Sequence, residues 1–427
     1  MIFMTGRLAN RLTHSPQVRV TLLTGGQDPH YACGLATALD KQGVALNVIG
    51  SKEIDRPELH STPGLRFLAL TQTTKGTGMA RRIGAVLISY ARLVRYAATA
   101  PSAIFHILWN GKLEHFDRTL LMLYYRLLGK KIVLTAHNVN RARRDGRDSL
   151  LNRLTLRCQY ELANHIFVHT TKMKDELECA FRVNPEKVTV IPFGINNAVP
   201  DTSLTGRDAR LQLKLGDHDK VVLFFGAIKP YKGLEYLVQA FQKVAAKDPE
   251  LRLMIAGERK KECEAYLEAV EEAINGDPAS NRVIRRIEFI PDDETEVYFK
   301  AADVLVLPYT DIFQSGILFL AYAFGLPVIA TDVGQFRDDV VEGVTGFICP
   351  PASVDGLAAA LEAYFASSLF HDLEHRRRQI RNHALSRHSW DAVARITRIA
   401  YSDLLAGRAP DHERAAQRPA PEKDISA

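Results

Sequence analysis

The chain reads as an α/β protein of two domains, each built on a parallel sheet with crossover helices. Three observations predict this. Short apolar strands alternate with helical stretches along most of the 427 residues. A glycine-bearing turn joins strand to helix in each half, TGGQDPH after residues 18–23 and GAIKPYKG after residues 221–225. The stretch LVLPYTDIFQSGILFLAYAFGLPVIATDVG, residues 305–334, runs from a buried strand end through a loop into a helix and back into a strand. Such alternation demands parallel strands joined by helices.

In order, residues 18–23 form an apolar strand, and 31–41 a helix that closes before Gly43. Further strands are expected at 44–49, 65–70, 103–108, 131–136, 166–168 and 188–191. The second half begins with a strand at 221–225 and a helix at 233–246, where Leu234, Leu237, Val238, Phe241 and Val244 share one apolar stripe. Strands at 251–255, 287–290 and 304–307 follow, then a helix at 315–324 ending at Gly325, a strand at 328–330 and a helix at 354–367. The chain thus divides into a flexible extension (1–17), a first Rossmann-like domain (18–195), a polar linker (196–207), a second Rossmann-like domain (208–385) and an amphipathic terminal helix (386–406). Residues 407–427 are rich in Pro, Ala and charge without apolar periodicity, which predicts disorder.

Two domains of this size bury adequate cores without staples. The five cysteines are scattered, odd in number and lack zinc spacing, so free thiols and a cytoplasmic location are expected. No apolar run approaches membrane-spanning length, and the first residues lack the apolar centre of a signal peptide, which predicts a soluble protein. A net charge of +6 argues against a dedicated nucleic-acid binder while permitting contact with anionic ligands or an anionic membrane surface. On a helix at 81–96, Ile83, Val86, Leu87, Tyr90, Leu93 and Val94 share one face, with Arg81, Arg92 and Arg95 opposite. The apolar face is expected to cover the protein's own sheet and the arginines to meet solvent or phospholipid headgroups.

Ser315 is a natural N-cap, and Gly316 after it lets a ligand approach the unpaired first-turn N–H groups, where the helix dipole favours an anion. A phosphate-bearing ligand is the chemistry this implies. Lys232 lies just before Gly233 and a helix start, where its ammonium can neutralise phosphate, and Lys229 is nearby. Gly25 and Gly26 follow the first strand without forming G-x-G-x-x-G, and Gly50-Ser51 stands where a dinucleotide reader carries an acid. His137 and Asn138 end a strand beside the loop RARRDGR, in which Arg141, Arg143, Arg144 and Arg147 outnumber Asp145 and Asp148. That loop either docks an anion or is a solvated loop with local ion pairs. Trp109, Asn110, Gly111, Lys112 and Glu114 follow another strand; the tryptophan suits either stacking on a sugar face or a buried anchor.

The sequence LAYAFGLPV, residues 320–328, resembles the donor-site region of retaining glycosyltransferases of family 4, which read E-(seven residues)-E-A-hydrophobic-A-x-G-x-P-V. Both family glutamates are replaced here, by Ile312 and Leu320. Pro308-Tyr309 and Gln314-Ser315-Gly316 resemble a variant subgroup found in bacterial polysaccharide-type enzymes. GAIKPYKG resembles the G-R-x-x-x-x-K-G turn that holds the donor diphosphate, with Lys232 on the family lysine and Ala227 at the usual arginine, which Lys229 replaces from two residues on. Thr135-Ala136-His137 matches the family's T-x-H.

The resemblance implies the GT-B fold of two Rossmann-like domains facing across a cleft, with the terminal helix crossing back onto the first domain. It implies a nucleoside diphosphate sugar donor and a glycan or lipid-linked acceptor, in surface polysaccharide assembly. Catalysis would fall to His137 and Lys232, and donor binding to Gly25, Gly26, Lys229, Lys232, Gln314, Ser315, Gly316 and Ile317. Trp109, Asn110, Asn138, Arg143 and Arg144 would bind the acceptor. No cofactor or metal is expected, since the lysine supplies the charge that a magnesium ion would, and the leaving phosphate itself would deprotonate the acceptor. No glycosidase-type carboxylate pair is identifiable. The rivals are a non-catalytic sugar-nucleotide sensor or assembly partner, for which the lost glutamates speak, and an epimerase or phosphorylase of the same architecture.

Overall fold

The computed structural model describes residues 18–72, 78–195, 199–259, 263–408 and 410. The extension expected at 1–17 and nearly all of the tail expected at 407–427 lie outside them.

In the first half, seven strands form one parallel sheet: β1 (Arg19–Leu23), β2 (Ala45–Gly50), β3 (Leu65–Ala69), β4 (Ile104–Ile107), β5 (Lys131–Thr135), β6 (His165–Val168) and β7 (Val188–Val190), in the order β3-β2-β1-β4-β5-β6-β7. The second half has six: β8 (Lys220–Phe225), β9 (Leu251–Ala256), β10 (Val283–Arg286), β11 (Val304–Leu307), β12 (Val328–Thr331) and β13 (Gly346–Cys349), in the order β10-β9-β8-β11-β12-β13, again parallel. Both sheets are covered on two faces, so their central strands are nearly continuous runs of Val, Ile, Leu and Phe, broken in the first sheet by the buried Thr21 and His106. Strand order reverses between β1 and β4 and between β8 and β11. The loops leaving those strands therefore open at the crevices where ligands bind in such sheets.

Three features differ from expectation. The edge strand β10 is Val283–Arg286, and residues 287–290 lie beyond it in a loop with Phe289 exposed. Only Val283 and Ile284 of that strand pack on the core, so an edge position hid it behind two arginines. The opposite edge strand, β13, has no counterpart among the expected strands; Gly346 in it is obligatory, because a Cβ there would collide with Val328 O. The helix expected at 81–96 spans Met79–Thr99, but only Ser89 and Ala97 are fully buried on it. Met79, Ile83, Leu87 and Ile88 face outward, so its apolar stripe is shared between the protein and solvent.

The terminal helix, Trp390–Leu405, crosses back to the first domain. Trp390, Val393, Ala394, Ala400, Tyr401 and Leu404 join the core beneath the Pro29–Lys41 helix. Trp390 Nε1 donates to Ile195 O at 2.9 Å, and Tyr401 OH meets His106 Nδ1 at 2.6 Å. Gly34 and Gly194 press against the Trp390 indole so closely that neither position has room for a Cβ. Across the gap between domains, Phe193 stacks on Phe319 with centroids 5.3 Å apart, and Asp292 takes hydrogen bonds from Arg56 (2.6 Å) and His30 (3.1 Å).

Candidate active site in the interdomain cleft

A cavity of about 340 Å³ lies between the two sheets, walled by Trp109, Asn110, His137 and Asn138 on one side and by Lys229, Tyr231, Phe313 and Gln314 on the other. Each wall comes from the carboxyl end of a strand: β4 and β5 supply the first, β8 and β11 the second.

The turn after β1 borders this cavity through Gln27. Gly25 and Gly26 take φ of +59° and +74°, which L side chains rarely adopt, and a Cβ on Gly25 would lie 2.5 Å from Asn110 O. Asp28 then caps the next helix, its carboxylate accepting the Tyr31 N–H at 3.0 Å.

His137 is locked in place. Its ring stacks on Trp109 (centroids 4.1 Å apart, 4° between planes) and meets the edge of Tyr31. Its Nδ1 shares a 3.0 Å hydrogen bond with His169 Nε2, while its Nε2 is buried with no partner among the described residues. Burial, and then the neighbouring His169, hold His137 well below the ordinary histidine range; burial takes His169 down to about 4. Both rings are therefore neutral at pH 7 and share one proton in the bond between them. His169 was not among the expected site residues, although it ends β6 in FVHT as His137 ends β5 in LTAH. The strand-end rule that found one would have found both.

Lys232 is buried, only 7% exposed, beneath the second wall. Its ammonium sits 5.4 Å from the centre of the Tyr309 ring and close under Gly226, and among the described residues it pairs with no carboxylate. Burial pulls its pKa below the ordinary lysine range, and nearby Arg144 adds to this. Lys229 lines the cavity. The Gly316–Ala323 helix starts at Ser315, but the serine hydroxyl makes no capping bond, contrary to expectation. The first-turn N–H groups are left without that side-chain partner. Ser315, Gly316, Ile317 and Lys232 are not among the residues lining this cavity; Ile317 packs over Gly226 and Gly316 faces Phe193.

Gln314 is held by Asp339, Nε2 donating to Oδ2 at 3.1 Å, which leaves its Oε1 buried and without a partner among the described residues. Burial pushes the Asp339 carboxyl up to about 6. Leu320, where the family pattern has a glutamate, is in the core, and Ile312 packs against it. Asp339 was not among the expected site residues; it closes the short helix Phe336–Asp339 that follows β12.

The basic loop divides. Arg141–Arg144 is one helical turn capped by Asn140, so Arg141 and Arg144, three apart, share a side and reach the cavity. Arg144 lies 4.2 Å from the Tyr231 ring centre and 2.8 Å from Asp145. Arg143 points away: it is exposed, 3.7 Å from Glu176, and takes no part in the cavity wall, which corrects its expected place beside Arg144. Asn110 donates to Gln159 Oε1 at 2.9 Å, and Asn138 keeps a buried Oδ1 with no partner among the described residues.

A family model described as Glycosyltransferase Family 4 matches residues 29–199, and one described as Glycosyl transferases group 1 matches residues 219–367. The chain is 29% identical over 290 residues to a D-inositol 3-phosphate glycosyltransferase of Corynebacterium efficiens, an alignment covering 64% of this chain and 65% of that one. It is 28% identical over 247 residues to an uncharacterized glycosyltransferase of Methanocaldococcus jannaschii, covering 57% and 60% respectively. Among solved structures, sucrose-phosphate synthase from Thermosynechococcus elongatus superposes with a TM-score of 0.72 at 20% identity, over 92% of this chain and all of that one (100%). HepE of Anabaena, solved in complex with UDP and glucose, superposes with a TM-score of 0.69 at 17% identity over the same shares, 92% and 100%.

Proposed function

This chain belongs to the family 4 glycosyltransferases, and on that premise we propose that it moves a sugar from a nucleoside diphosphate sugar to a glycan or lipid-linked acceptor with retention, in bacterial surface polysaccharide assembly. One observation carries the donor class: Lys232, a buried ammonium without a carboxylate partner among the described residues, beside a helix N-terminus whose serine leaves the N–H groups uncapped. Isolated buried charge is costly, and a diphosphate would offset that cost. The UDP bound by HepE supports the same class.

In this reading the bond between the sugar anomeric carbon and the diphosphate oxygen breaks, and its electron pair leaves on phosphate. The acceptor oxygen bonds to the same carbon from the face the diphosphate leaves, and its proton passes to a phosphate oxygen. Lys232 and the Ser315 helix start stabilise the growing charge, an electrostatic contribution made without reorganisation. His137, held neutral between Trp109 and His169, offers Nε2 to the transferring sugar. Gln314 Oε1 accepts from a donor hydroxyl in place of the family carboxylate.

The test is a thermal-shift titration with UDP-, GDP-, TDP- and ADP-sugars, repeated on Lys232→Ala. One nucleotide class should raise the midpoint in the parent chain and not in the variant. No response to any of the four would sink the donor assignment. A non-catalytic sugar-nucleotide binder is the second reading, favoured by Leu320 filling the core where the family has a glutamate. Stabilisation by a nucleotide sugar with no nucleoside diphosphate ever released would support it.

Contact with an anionic membrane belongs to the same proposal. Among the described residues no helix is long and apolar enough to cross a membrane. The Met79–Thr99 helix carries four arginines (Arg81, Arg82, Arg92 and Arg95) and no acid, with Met79 (73%) and Leu87 (62%) exposed among them. Leu120, Leu123 and Leu127 continue the outward apolar surface on the adjoining segment. Exposed apolar residues interleaved with arginine suit the headgroup boundary. Co-sedimentation with anionic vesicles, and not with neutral ones, is the expected result.

A further inference from the structure

We propose that a second cavity, in the first domain, holds the hydrocarbon part of an uncharged acceptor whose reacting hydroxyl lies in the cleft. The inference rests on the glycosyl-transfer reading and adds the acceptor's class. This cavity, about 410 Å³, lies between the Met79–Thr99 helix and the first sheet. Leu23, Ile49, Val86, Leu93, Ile107 and Leu121 give it apolar walls. Trp109 and Asn110 line both this cavity and the cleft, which places the two side by side.

Asp117 Oδ1, Tyr125 OH and Thr71 Oγ1 are buried and find no hydrogen-bond partner among the described residues, and all three residues line the cavity. The other Asp117 oxygen is satisfied by the Gly111 N–H (2.6 Å) and Tyr90 OH (3.0 Å). Asp117 also opens a π-helical turn, Asp117–Leu121, a departure from regular helix often found at functional sites. Unpaired buried polar atoms inside an apolar cavity are costly unless a ligand supplies their partners. A carboxylate is a poor neighbour for phosphate, so the group it meets is a neutral donor, a hydroxyl or an amide N–H, on the chain that carries the acceptor sugar.

The test is calorimetric titration of the full chain with ethyl, butyl, hexyl and octyl β-D-glucosides below their micelle concentrations, and with octyl phosphate. Affinity should rise about threefold per added methylene until the cavity is filled, and octyl phosphate should bind more weakly than octyl glucoside. Val86→Phe, which fills the cavity from the half-exposed side of the helix, should cut octyl glucoside affinity at least tenfold and leave ethyl glucoside unchanged. A flat chain-length series in the parent chain, or stronger binding of octyl phosphate, would overturn the proposal without reference to any variant. Nucleotide-sugar stabilisation is measured alongside in both proteins: its absence would remove the transfer reading while leaving the alkyl result to be judged separately.

Discussion

His137 shows how much a single residue's chemistry depends on its neighbours. Trp109 on one face and His169 at Nδ1 leave it one free nitrogen, Nε2, and burial keeps the ring neutral. His137→Gln should lower turnover by roughly 10²- to 10³-fold while nucleotide binding persists, as for other donors to developing charge. Neither histidine should give a rate step near pH 6.5, since both lie well below that value when folded. Asp339, pushed up to about 6, is the cleft group expected to titrate: as pH falls through 6 it gains a proton and Gln314 loses its carboxylate acceptor. The expected fall in rate below pH 6 should vanish in Asp339→Asn. At the glycine turn, Gly25→Ala combines a positive φ with a backbone collision and should cost about 1–3 kcal/mol in chemical denaturation.

At the scale of elements, two helices with similar amphipathic patterns do opposite things. Trp390–Leu405 buries its stripe across the first domain, anchored by an indole that Gly34 and Gly194 leave room for. Trp390→Ala should cost about 3–5 kcal/mol, as for other large buried aromatics, and urea unfolding would measure it. Met79–Thr99 leaves Leu87 exposed, so Leu87→Ser should change stability by less than about 0.5 kcal/mol. If the membrane reading holds, the same variant should weaken sedimentation with anionic vesicles.

Over the whole molecule, buried histidines set the response to acid. Burial lowers His106 to about 3, His169 and His388 to about 4, and holds His137 well below the usual range. Unfolded, each titrates near 6.5, so the unfolded chain binds more protons below that pH. Stability is fully present above 6.5 and is lost as pH falls toward 4, by about 1.4 kcal/mol per pH unit for each histidine. Asp117 and Asp339, both raised to about 6, act in the opposite sense between about pH 4 and 6, as do Asp28, Asp303 and Glu176, which burial also raises. The melting temperature should therefore fall from pH 7 to pH 6, before these acids take up protons. Asp292, taken to about 2 first by its hydrogen bond from His30 and also by Arg56, joins the two domains and keeps its charge across that range.

The sequence by itself determined the α/β class, the central strands and the strand-end positions of Gly25, Trp109, His137, Lys232 and Gln314. A parallel strand covered on both faces reads as a nearly continuous apolar run, and such a sheet opens its ligand crevice at strand carboxyl ends. Edge strands escape that rule: β10 and β13 are buried on too little of their surface to be marked by composition. Only the tertiary structure decided what each side chain meets. It paired His137 with His169 and Gln314 with Asp339, turned Arg143 away from Arg144, and set the Leu87 face of a helix outward. These are contacts between segments distant in sequence, or choices of facing, and periodicity records that a helix has an apolar side without recording what that side touches.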